Sequence, residues 1–271
     1  MRIGFQGEAF SYSDRASSEL FAGLDRVGYP SFVVAFEALA AGSVDRLVVP
    51  IENSTTGSVL PVLDRLLPGN SHIVGEHLVE VRHALLGVPG TAVDRIERVL
   101  SHPEALSQAE SVITHWGWEP VPVNDTAGAV RRVAEAGLPT DAALAPVAAA
   151  EGHSLAVLMT DVIDRDHNTT RFVVLARGEQ PVADDADKTS VAFTTGHTPG
   201  SLALALVDLG LRGANLTRIE SRPANEAWRY RFFVDLTHPP GRTGRDAVFD
   251  PPLGTLADLR FLGTYRSVGG G

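Results

Sequence analysis

Two α/β parts joined by a polar connector are what this sequence predicts. Three observations carry the prediction. Short strand-like apolar runs alternate with capped, amphipathic segments through about residue 160. Residues 178–188, Gly-Glu-Gln-Pro-Val-Ala-Asp-Asp-Ala-Asp-Lys, are polar and mildly acidic and read as the one clear linker. Beyond them the order becomes strand, helix, hairpin and last strand, a small βαββ(α)β unit of ferredoxin-like type.

The elements follow from local pattern. Arg2-Ile3-Gly4-Phe5 reads as a short strand and Gln6-Gly7-Glu8 as a turn. Ser11 and Ser13 offer hydroxyl caps with an early acid, Asp14, and Ala16, Leu20, Phe21 and Leu24 form an apolar stripe, so a helix is expected. Ser31-Phe32-Val33-Val34 reads as a strand and Phe36 to Ala41 as a short helix ended near Gly42. Asp45 to Ile51 is a buried-type strand that delivers the chain to Glu52-Asn53-Ser54-Thr55-Thr56-Gly57-Ser58. A helix from Val59 to Leu67 closes at Pro68-Gly69-Asn70.

Leu85 to Val88, Val99-Leu100 and Pro120 to Val123 are strand candidates. Ser101-His102-Pro103-Glu104 has the form of a capping box, leading a helix to about His115. Asn124-Asp125-Thr126 caps a helix through Ala136, ended by Gly137 and Pro139. Asp141 to Ala145 is a strand and Val147 to Glu151 a short helix. The chain then reaches Asp166-His167-Asn168-Thr169-Thr170-Arg171-Phe172, a polar cluster at the mouth of the apolar run Val173-Val174-Leu175. After the linker come a strand (Ser190 to Thr194), a helix (Ser201 to Leu209), strands at Asn215 to Glu220 and Trp228 to Leu236, and a last strand at Leu259 to Tyr265.

Composition narrows the chemistry. The chain has 271 residues, no cysteine and a formal net charge of −10. Thiolate nucleophiles, thiolate metal sites and disulfides are thereby excluded. An acidic chain without a basic patch is not expected to bind nucleic acid. The single lysine, Lys188, lies in the connector, which argues against Schiff-base chemistry. The nine histidines form no ligand pair, so no metal is expected. No run is long enough to span a membrane, and the N-terminus lacks an apolar leader, so a cytoplasmic location is expected.

Three polar segments share one form: strand, hydroxyl-rich turn, helix start. They are Ser11/Ser13, Asn53 to Gly57 and Asn124-Asp125-Thr126. Helix N-termini present free amide donors and partial positive charge, so together with Asn168-Thr169-Thr170-Arg171 they point to a shared anion site. Arg171 is the expected carboxylate clamp.

These residues carry a resemblance that covers nearly the whole chain. Pro50-Ile51-Glu52-Asn53-Ser54, Ser101-His102-Pro103-Glu104-Ala105-Leu106 and Thr170-Arg171-Phe172 resemble the Pro-x-Glu-Asn-Ser, Ser-His-Pro-Gln-Ala-Leu and Thr-Arg-Phe segments of prephenate dehydratases. Pro199-Gly200-Ser201-Leu202 and Glu220-Ser221-Arg222-Pro223 resemble segments of that family's C-terminal regulatory ACT domain. The resemblance implies two α/β subdomains with an interdomain cleft, like periplasmic binding proteins. Residues 1–178 would form the catalytic domain, with subdomain one about 1–76 and 160–178 and subdomain two about 77–159, and 188–266 the ACT domain. It implies cofactor-free conversion of prephenate to phenylpyruvate, with arogenate dehydratase or a non-aromatising decarboxylase as sister activities. A non-catalytic amino-acid-binding protein is the reading from another class. Thr170 inherits the catalytic role, with Asn53, Ser54, Thr126, Asn168, Arg171 and Phe172 around the substrate. Phenylalanine is the implied effector, held between paired ACT domains by Gly200, Leu202, Asn215, Leu216, Glu220, Ser221, Arg222 and Pro223, in a dimer or tetramer. The chain departs from the family at Asp125, where serine is usual, and at Pro251-Pro252, which would interrupt the last helix.

Overall fold

The computed structural model describes residues 1–68, 70–164, 167–224 and 228–269. Gly69 of the expected turn and Asp166 at the head of the polar stretch lie outside these residues. The first lobe opens with β1 (Arg2–Gln6), α1 (Tyr12–Leu20), β2 (Asp25–Tyr29), α2 (Phe32–Ala41) and β3 (Arg46–Asn53). Strand β1 lies between β2 and β3, parallel to both. A short β4 (Gly57–Ser58) folds back on β3, α3 (Leu60–Leu66) follows, and β5 (Ser71–Glu80) leads out of the lobe.

The second lobe comprises β6 (Ala84–Gly87), β7 (Arg98–Ser101), α4 (Pro103–Ser107), α5 (Glu110–Trp116), β8 (Glu119–Pro122), α6 (Thr126–Ala136), β9 (Asp141–Ala145), α7 (Ala148–Gly152) and β10 (Ala156–Met159). Its sheet runs β10-β6-β9-β7-β8. The central β9, Asp-Ala-Ala-Leu-Ala, is buried throughout, as a strand covered on both faces must be. The chain then crosses back, and β11 (Thr169–Arg177) inserts antiparallel between β3 and β5. One strand thus starts at the boundary of the lobes and ends deep in the first.

The remaining elements are β12 (Lys188–Thr194), α8 (Ser201–Leu211), β13 (Asn215–Pro223), β14 (Tyr230–Thr237), α9 (Gly241–Phe249) and β15 (Ala257–Tyr265), a βαββαβ unit with strand order β13-β14-β12-β15. Strand β15 meets β5 where Gly263 pairs with Ile73, so the unit and the first lobe form one ten-stranded sheet. A Cβ on Gly263 would collide with the Ile73 carbonyl, so this approach requires glycine. The core crosses the junction too: Leu39, Leu47, Val49 and Leu63 cluster with Phe233, Leu262 and Tyr265. No helix among the described residues is long and apolar enough to cross a membrane.

Several local expectations are corrected. Ser31 is not in a strand; its hydroxyl caps α2 by accepting from the Val34 amide at 3.3 Å. Ser101 is not a cap, because its hydroxyl donates to the Leu144 carbonyl at 2.7 Å, and His102 caps α4 instead. The expected single helix divides into α4 and α5. Pro251-Pro252 follow α9 rather than interrupt it. Lys188 is not a linker residue: it is buried at the start of β12, with Nζ 3.0 Å from a Glu76 carboxylate oxygen.

Candidate active site

A cavity of about 430 Å³ opens between the two lobes. The first lobe supplies Ser11, Tyr12 and Ser13 from the start of α1, Asn53 and Thr56 from the turn after β3, and Asn168 and Thr170 from the head of β11. The second lobe supplies His83, Glu104, Gln108, Asp125 and Thr126. A larger cavity of about 860 Å³ lies on the outer side of the first lobe, between α2 and α3, and has a mainly apolar lining. The interlobe cavity is the candidate site because hydrogen-bonding groups from both lobes converge there.

Asn53 organises it. Its carbonyl oxygen accepts from the Thr55 amide at 2.9 Å, the Thr55 hydroxyl at 2.6 Å and the Thr56 amide at 3.2 Å. That fixes the side-chain amide to face β11, where it donates to Asn168 Oδ1 at 2.7 Å and Thr170 Oγ1 at 2.9 Å. Asn168 in turn donates to Gln108 Oε1 at 2.7 Å, and Gln108 Nε2 reaches Thr55 Oγ1 at 3.3 Å and Glu104 Oε1 at 3.2 Å. Thr170 accepts in this chain, which leaves its own hydroxyl proton available to a group in the cavity. An accepted amide hydrogen bond also strengthens that hydroxyl as a donor.

Beside this network sits His83, buried at 3% exposure. Burial pushes its imidazole down to about 4, against an opposing hydrogen bond with Gln108, so it is neutral through the physiological range. The Tyr12 hydroxyl donates to the Arg82 carbonyl at 2.6 Å and lies 3.3 Å from His83 Nδ1. With the phenol proton so used, the tautomer that completes the contact has Nδ1–H donating. Burial raises the Tyr12 phenol above its ordinary value. His83, Tyr12 and Gln108 were missed from sequence. His83 immediately precedes a strand, the same signal that singled out Thr170, and Gln108 lies one helical turn beyond Glu104.

The expected site residues divide. Asn53, Thr126, Asn168 and Thr170 come together around the cavity. Ser54 does not: its hydroxyl accepts from the Thr169 amide at 3.0 Å and pins the start of β11. Arg171 does not act as a clamp there. Side chains alternate along a strand, so the residue after Thr170 turns to the other face. Its guanidinium meets Glu52 at 3.3 Å, Glu76 at 2.9 Å and Asp235 of β14. Burial alone would raise the Asp235 carboxyl, but Arg171, Arg218 and the Ser190 hydroxyl outweigh it and hold it below the usual range. Phe172, at 1% exposure, is core, packed with Ile3, Ala16 and Val48. Asp125 lines the cavity and has a structural task as well. It caps α6, with Oδ1 accepting from the Gly128 amide at 2.6 Å. The turn at Asn53 leads into β4, not directly into a helix, so the shared anion site has two helix starts, α1 and α6, rather than three.

In the C-terminal unit, Gly200 and Leu202 line a surface depression before and within α8, while Asn215, Leu216 and Glu220 to Pro223 lie along β13. Among the described residues, the depression at Gly200 and Leu202 is not lined by the β13 group. Glu220 accepts from the Ser58 hydroxyl at 2.8 Å, and Arg222 bonds Asp64 at 2.9 Å, so β13 touches the first lobe directly.

The prephenate dehydratase family model matches residues 3–180. The chain is 41% identical over 282 residues to arogenate dehydratase/prephenate dehydratase 2, chloroplastic, of Arabidopsis thaliana, covering 98% of this chain and 72% of that protein. It is 37% identical over 272 residues to a bifunctional N-acyl-homoserine lactone acylase/prephenate dehydratase of Komagataeibacter europaeus, covering 98% and 93%. Among solved structures, prephenate dehydratase from Arthrobacter aurescens in complex with L-Phe matches with a TM-score of 0.87 at 31% identity, over 98% of this chain and 90% of that one.

Proposed function

Because this chain belongs to the prephenate dehydratase family, a family of hydro-lyases, we propose that it carries out decarboxylating dehydration of prephenate or of arogenate, the amino-acid form of the same ring. Loss of the ring carboxylate as carbon dioxide delivers an electron pair to the ring, and the ring hydroxyl departs as water once it gains a proton. Prephenate gives phenylpyruvate; arogenate gives phenylalanine. Aromatisation drives the step, so the protein's task is to position the ring and assist the leaving group.

The observation that carries this reading is the Thr170 hydroxyl, held in the interlobe cavity by the fixed Asn53 amide. Thr170 donates to the departing hydroxyl, Asn53 polarises Thr170, and Asn168 and Gln108 keep Asn53 in register. Thr126, with the amides at the starts of α1 and α6, faces the substrate carboxylates. Arg171 contributes by holding β11 in place rather than by touching substrate. The test is incubation of the purified protein with prephenate and with arogenate, following phenylpyruvate by its absorbance in base and phenylalanine by chromatography. Product from neither would remove the activity.

The same proposal takes 1–178 as catalytic and 188–266 as an ACT regulatory domain, in a cytoplasmic dimer or tetramer. The βαββαβ order and the contacts of β13 with Ser58 and Asp64 support it. Phenylalanine is the effector, bound where Gly200 and Leu202 of one copy meet Asn215, Leu216 and Glu220 to Pro223 of another.

A further inference from the structure

We infer that Glu104 selects the substrate by its side chain, favouring the form that carries an α-ammonium over the form that carries a keto group. The inference rests on the dehydratase reading above and names the substrate class of that same cavity.

Three carboxylates line the cavity, each in a different setting. Glu8 is ion-paired to Arg131, and Asp125 caps α6. Glu104 differs. Its Oε1 accepts only from the neutral Gln108 amide, at 3.2 Å, and among the described residues no cation pairs with it. Among the described residues, no arginine or lysine lines the cavity to offset its charge. Glu104 also stands at the end of the hydrogen-bond chain that runs through Gln108, Asn168 and Asn53 to Thr170. Thr170 and Glu104 line the same cavity, so we place the ring hydroxyl of a bound substrate at Thr170 and its side chain at Glu104.

The two substrate forms differ there in one group. A keto oxygen only accepts hydrogen bonds, and an ionised carboxylate only accepts, so the pair has no donor between them. An α-ammonium brings three donors and a positive charge, and meets the carboxylate in a charge-assisted hydrogen bond. Preference for the ammonium form by on the order of 10–100-fold is the size expected of such a contact.

The experiment measures kcat/KM for arogenate and prephenate side by side, with circular-dichroism melts of each variant. Wild type is expected to favour arogenate at least tenfold. Glu104→Gln, which keeps the size and can still bond Gln108, is expected to lower that ratio at least tenfold, mainly by raising KM for arogenate. Glu104→Asp keeps the charge but shortens its reach, and should lower the ratio without inverting it. A wild type that prefers prephenate overturns the inference while leaving the dehydratase reading intact. So does an unchanged ratio in Glu104→Gln, or in Glu104→Asp should the Gln variant not fold. A folded Glu104→Gln that loses both activities equally would assign Glu104 to the ring chemistry and also overturn it. Turnover of neither substrate by wild type would overturn both readings together.

Discussion

At the scale of single residues, Thr170 and Arg171 are neighbours in sequence with different tasks. Thr170 faces the cavity through the Asn53 amide, and Thr170→Val removes the hydroxyl while keeping the shape. The expected result is a fall in kcat of about 10²–10⁴ with an unchanged melting curve. Arg171 is 8% exposed and compensates Glu76 and Asp235. Arg171→Ala takes one of two cations from Glu76, which keeps Lys188, and from Asp235, which keeps Arg218, and should cost about 3 kcal/mol in urea denaturation. A variant of wild-type stability with only a raised KM would restore Arg171 to the clamp role. His83 carries a pH signature. Its imidazole is held at about 4 in the folded chain against an ordinary 6.5, so the unfolded chain binds the extra proton in that window. Stability therefore falls as pH drops from 6.5 towards 4, by up to roughly 3 kcal/mol. His83→Asn should flatten that part of a melting-temperature profile; a profile as steep as wild type would assign the acid sensitivity elsewhere.

Secondary elements explain which residues reach the site. The turn after β3 is shaped by three bonds to one asparagine oxygen, and β11 is pinned at its first residue by Ser54. Asp125 belongs to this scale, because its carboxylate satisfies an amide that the first turn of α6 leaves unpaired. Asp125→Ala should cost about 1 kcal/mol, whereas Asp125→Ser keeps a capping oxygen and should stay near wild type in the same denaturation assay. Equal losses in both would mean that the charge, not the cap, matters. Element boundaries were legible where caps and breakers agree, as in α6 between Asp125 and Gly137. They were not where two signals compete. Phe32-Val33-Val34 has strand composition, yet the Ser31 cap and the apolar run behind it make a helix lying on the sheet. Strand β5 carries His72, Gly75, Glu76, His77 and Glu80, too polar to read as a strand without its sheet neighbours.

For the whole molecule, the C-terminal unit extends the sheet of the first lobe through β15 and shares its core. Its helix α8 turns Leu204, Val207 and Leu211 outward at 62%, 57% and 82% exposure, on one face by their spacing. An apolar stripe of this kind fits the proposed self-association. Leu204→Glu with Val207→Glu should therefore shift the protein to monomer in light scattering. Basal turnover should persist, and the phenylalanine response should be lost. A double variant that remains the size of wild type would remove this face from the assembly.

By itself the sequence determined the α/β class, the βαββαβ tail, the family, and four of the residues that meet in the cavity. Periodicity, caps and short motifs are local, and local signals survive in a linear string. Only the tertiary structure decided what faces what. It turned Arg171 away from the cavity, buried Lys188 against Glu76 and made Asp125 a cap. It also brought His83 and Gln108 of one lobe to Asn168 of the other. Those outcomes depend on strand alternation and on which distant chains pack alongside. They join residues far apart in the chain, and a linear reading does not show which of them meet.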